Sequence, residues 1–131
     1  MDAKILSIKN LDEAKKEINE IKPNPPNPVG TEIMSLKAVH RIIKFESINS
    51  ISANIIKQEM LSRGGEVAVS SDSANFKSKT TDLILMGTLT QYIRLVRKLK
   101  KQTKYGREVI DELEEILHNE GVQDIDKATV W

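Results

Sequence analysis

The sequence predicts an α+β fold: a small mixed sheet with a βαβ unit, helices mainly on one face, and an N-terminal helical arm. Three observations carry this. The helical apolar spacing of Ala53, Ile56 and Met60 ends at Gly64-Gly65 and runs straight into the strand-like EVAVS. The stretch DLILM, from Asp82 to Met86, is a continuous apolar run, as expected of a buried strand. Directly after it, Leu89, Tyr92, Ile93, Val96 and Leu99 fall on one helical face.

Taken in order, Asn10 and Glu13 have capping-box spacing and open a helix, ending near Lys22, whose Leu11, Ala14, Ile18 and Ile21 share a face. This is the arm, residues 1–22. Residues 23–30 contain all four prolines, which cannot donate backbone hydrogen bonds and push their neighbours toward extended geometry, so a stiff linker is expected. Residues 31–131 then form the α+β domain. Val39, Ile43 and Phe45 alternate with Arg41, Lys44 and Glu46, which predicts a strand over 38–48 with one buried side. Asn49 or Ser50 caps the next helix, with Lys57, Glu59 and Arg63 toward water. The tight strand–helix–strand connection favours a right-handed crossover and parallel pairing. SSDSANFKSKTT reads as a polar loop, DLILM as the sheet centre, and residues 106–118 as a last helix stopped by Gly121. Met34, Met60 and Met86 read as core fillers.

Composition narrows the function. At 131 residues with 39% hydrophobic content the chain suits one core. A formal net charge of +1 gives no overall pull toward nucleic acid or anionic lipid. Zero cysteines exclude disulfides, thiolate metal sites and cysteine nucleophiles. MDAKILSIKN lacks the apolar region of a signal peptide, and no run approaches the roughly 20 apolar residues a membrane helix needs, so a soluble cytoplasmic protein is expected.

Few residues point to chemistry. Gly87-Thr88, between strand and helix, offers unpaired N–H groups and a helix dipole to a phosphate or carboxylate, with Arg94 or Lys98 as counter-charge. The simpler reading is a strand-to-helix turn with Thr88 as N-cap. Arg94, Arg97, Lys98, Lys100, Lys101, Lys104 and Arg107 form a basic run, and the acids from Glu108 to Asp126 a second block, which predicts facing helices or a head-to-tail homodimer, or more simply two solvated helix faces. With only Tyr92 and Tyr105 nearby for stacking, nucleic acid is disfavoured. Asp111, Glu112, Glu114 and Glu115 read as surface charges; His40 and His118 belong to no ligand-spaced cluster. No catalytic residue, metal site or cofactor is expected.

Gly30-Thr31-Glu32-Ile33-Met34, the stretch from Ala53 to Ser62, Gly64-Gly65-Glu66 and Thr81 to Leu89 together resemble the region preceding the catalytic barrel of bacterial dihydropteroate synthases. The resemblance covers roughly residues 30–101. That family condenses p-aminobenzoate with a pterin diphosphate inside a TIM barrel of about 250 residues, which this chain is too short to form. The resemblance therefore implies an accessory or interaction domain, not an enzyme by itself, with a pterin-pathway enzyme or the synthase barrel as partner; the surface expected to meet it is the basic helix face with Arg94 and Lys98 and the Gly87-Thr88 turn. The alternative is a domain binding a small anion, a pterin or phosphate.

Overall fold

The computed structural model describes residues 1–73 and 75–131. In chain order these contain α1 (Leu11–Asn19), α2 (Pro28–Ala38), β1 (His40–Asn49), α3 (Ser50–Ser62), β2 (Glu66–Val69), β3 (Thr80–Thr88), α4 (Leu89–Leu99) and α5 (Ile110–Asn119). The fold is α+β, as the sequence predicts.

The caps explain the boundaries. The Glu13 amide donates to Asn10 Oδ1 at 2.9 Å, opening α1 where capping-box spacing placed it. Asn49 accepts from the amides of Ile51 and Ser52, and Gly64 closes the turn after α3 at φ +89°. One helix departs from expectation. Pro28 is not linker but the first turn of α2, because Asn27 accepts from the Gly30 amide and proline at N1 forfeits only an N–H that helices leave unpaired.

The sheet has the order β1-β3-β2, with both ladders antiparallel. DLILM is its centre, as expected, but the expected parallel pairing is not found. In β1–α3–β2 the outer strands run the same way, so the βαβ unit is present but split by β3 between them. The mixed sheet thus becomes an antiparallel one.

Helices cover one face of this sheet. Val67, Leu83 and Leu85 point into a core shared with Ala53, Ile56, Met60, Tyr92, Ile93, Val96 and Leu99. DLILM is therefore buried on one side, not two: Leu83 and Leu85 are buried, Ile84 and Met86 only partly. The arm helix joins the same core through Leu11 and Ala14 and meets α2 through a Lys15–Glu32 ion pair at 2.9 Å. Met60 is fully buried, whereas Met34, expected inside, is 48% exposed. The expected polar loop joins β2 to β3; of it, Ala74 lies outside the described residues.

Candidate functional site

The basic run acquires its shape from the pitch of α4. Arg94, Arg97, Lys98 and Lys101 fall at i, i+3, i+4 and i+7, so they share one side while Tyr92, Ile93, Val96 and Leu99 are buried on the other. Arg63 arrives from the end of α3, held there by Gln91, whose Nε2 donates to the Arg63 carbonyl at 3.2 Å. These five cations and Val130 line a cleft of about 260 Å³ with no carboxylate in its wall. The sequence pairs Arg94 with Lys98 but places Arg63 toward water. No local pattern reveals that the end of α3 meets α4.

Arg97 has a second task. Its Nε donates to the Ile125 carbonyl at 2.7 Å, and its second nitrogen to the Ala128 carbonyl. This clamp lays the C-terminal segment along α4 and brings Val130 to the cleft. Carbonyl acceptors leave the guanidinium charge uncompensated by any anion. Arg94, Lys98 and Lys101 form no ion pair among the described residues, and the nearest acid to Arg63 is Glu59 at 3.9 Å.

The acidic block does not neutralise this cleft, because it is spent elsewhere. Lys100 takes Glu114 and Asp126, each at 3.2 Å, so the two blocks meet as facing helices within one chain. Partial desolvation opposes the Lys100 charge, but hydrogen bonds to the two carboxylates outweigh it and hold the ammonium above its ordinary pKa.

The Gly87-Thr88 turn is occupied by its own helix. The Thr88 amide donates to Gln91 Oε1 at 2.8 Å and the Gln91 amide to Thr88 Oγ1 at 3.3 Å, a complete capping box. Gly87 is buried, and a Cβ there would stand 2.4 Å from Met60 Cε. The structure therefore separates the expected residues: Arg94 and Lys98 enter the cleft, while Gly87 and Thr88 serve the strand-to-helix turn.

A second surface lies on the sheet's uncovered face. The register places Ile42, Met86 and Glu66 in one row and Lys44, Ile84 and Ala68 in the next. Ile42 is 68% exposed although it sits beside the central strand. The result is an apolar centre of Ile42, Ile84, Met86 and Ala68 with Lys44, Glu66 and Asp82 around it. The remaining titratable groups are dispersed: His40 and His118 are exposed on separate elements, and Asp111, Glu112 and Glu115 face solvent on α5. Among the described residues no group of three His, Asp or Glu is placed to hold a metal ion, and no helix is long and apolar enough to cross a membrane.

No family model matches the chain, and no solved structure matches it significantly. Among curated proteins, it is 34% identical over 110 residues to a probable bifunctional folylpolyglutamate synthase/dihydropteroate synthase of Halobacterium salinarum. The match takes in 84% of this chain but 13% of that protein, so the chain spans a small part of its relative's length. The similarity links the chain to a folate-pathway protein.

Proposed function

We propose that this chain is a non-catalytic accessory module, related to the region before the barrel of dihydropteroate synthase, that docks on a synthase domain in folate or pterin metabolism. The observation that carries the reading is the bare sheet face. An apolar centre with a charged rim is the usual composition of a protein interface, and here it spans all three strands of the only sheet among the described residues. The occupant is argued from the relative. A segment like this one occurs there within a much longer chain named for two synthases, so most of that chain is available to cover the face. Outside the basic cleft, the acids and histidines are dispersed over separate surfaces, which supports a role without catalysis.

The test is binding of the purified chain to the catalytic barrel of a cognate dihydropteroate synthase, with Ile42→Glu and Met86→Glu as disrupting variants. Saturable micromolar binding, weakened at least about tenfold by Ile42→Glu, is the expected result. Absence of binding at about 500 µM barrel rejects it. Sedimentation supplies the other arm: self-association abolished by Ile42→Glu assigns the face to a second copy and overturns the synthase reading.

A further inference from the structure

From the cleft between the end of α3 and the outer side of α4, we infer a second, separate site that binds a small phosphoryl oxyanion carrying two or more negative charges, such as a diphosphate group. It goes beyond the docking role and rests on different residues.

Charge comes first. Arg63, Arg94, Arg97, Lys98 and Lys101 line one depression, and its wall contains no carboxylate. Cations near helix C-termini are common because the dipole favours them, and this accounts for Arg97 and Lys98 in the last turn of α4. It does not account for Arg94, near the middle of that helix, nor for the convergence of two elements on one space. Nearby acids do not relieve the repulsion: Glu114 and Asp126 are engaged by Lys100, and Glu59 approaches only Arg63.

The chain itself satisfies these guanidinium groups only in part. Arg63 Nε is shielded from solvent and finds no acceptor among the described residues. Arg97, fixed by two backbone carbonyls, is a preorganised guanidinium. Guanidinium forks match the paired oxygens of phosphoryl groups, and the lysines add mobile point charges.

Shape selects the ligand class. About 260 Å³ holds one or two phosphoryl groups, and Val130 is the single apolar residue of the lining. No aromatic ring lines the cleft, so a pterin ring or nucleobase has nothing to stack on. Recognition is of the anionic group, and whatever carries it projects outward.

The experiment is a titration of the full chain with inorganic pyrophosphate, followed by calorimetry and amide chemical shifts. Parallel arms use citrate and a short single-stranded oligonucleotide. Pyrophosphate should bind saturably with a dissociation constant below about 1 mM, weaken as salt rises, and shift amides around Arg63, Arg94 and Lys98. Arg94→Gln/Lys98→Gln should lose at least about tenfold in affinity while melting like the parent, since among the described residues neither has an ion pair to forfeit. Lys104→Gln, outside the cleft, should bind normally. Equal binding by the double variant, or no saturation by about 5 mM, overturns the site. Citrate binding as tightly as pyrophosphate overturns its phosphoryl preference, and tighter oligonucleotide binding overturns the small-ligand assignment. Barrel docking is measured with Ile42→Glu, so either proposal can fail while the other stands.

Discussion

Arg41 on β1 grips Glu120 beyond the end of α5: its Nε donates to Oε1 at 2.9 Å, and its terminal nitrogen stands 2.8 Å from Oε2. The same guanidinium donates to the Lys9 carbonyl, just before α1. One side chain therefore ties the arm, the first strand and the last helix together. Replacing Glu120 by Ala should lower unfolding stability by about 2 kcal/mol, because a partly buried guanidinium loses its charged acceptor. Urea denaturation followed by circular dichroism measures it. A loss below about 0.5 kcal/mol would make the pair merely superficial.

The capping box makes a sharper prediction, because Thr88 and Gln91 serve each other. Thr88→Ala and Gln91→Ala should each cost about 1 kcal/mol, and the double variant should cost less than the sum. Pyrophosphate affinity should survive Thr88→Ala, since the turn's amide is committed within the helix. Denaturation and calorimetry on the same preparations decide both points.

Gly87→Ala should destabilise the fold by about 1–3 kcal/mol, as added carbon meets Met60 Cε at 2.4 Å and Gln91 Oε1 at 2.9 Å. Trimming Met60 to Ala in the same chain should cost less than it does alone. Additive losses would show that Met60 is not the obstacle.

Tyr92 predicts an alkaline transition. Its hydroxyl donates to the Arg41 carbonyl at 2.7 Å, and burial pushes its pKa well above the ordinary value of about 10. Folding favours the protonated phenol, so this contribution is complete below about pH 10 and is lost as pH rises beyond it. Tyr92→Phe should be less stable at neutral pH by about 1 kcal/mol yet decline less steeply above pH 10. Parallel slopes for the two proteins would reject the assignment.

Much of this was legible because it is local. Asn10, Gly64 and the face from Leu89 to Leu99 declare themselves through spacing alone, while the cap of α3, open between Asn49 and Ser50 in the sequence, is Asn49. The helix α2 was hidden by its own start signal: Asn27-Pro28 is a cap followed by proline at N1, but among four prolines and a glycine the pair reads as linker. The antiparallel ladders were illegible for another reason. A strand–helix–strand rule describes how β2 returns beside β1 but not whether a later strand enters between them. Half of the site was visible in the periodicity of Arg94 and Lys98. The other half depends on Gln91 holding the Arg63 carbonyl, a contact 28 positions apart in sequence.

All the helical cover lies on one side of the sheet, which separates the two proposed surfaces. The bare strands look one way, and the outer side of α4 looks the other. Occupants of the two would not compete for space, so a ternary complex is sterically open. Any influence of one on the other would have to pass through Met60, Leu85 and their packed neighbours. If both proposals hold, the molecule would act as a two-sided adaptor, with a large partner flat against its strands and a small anion gripped behind.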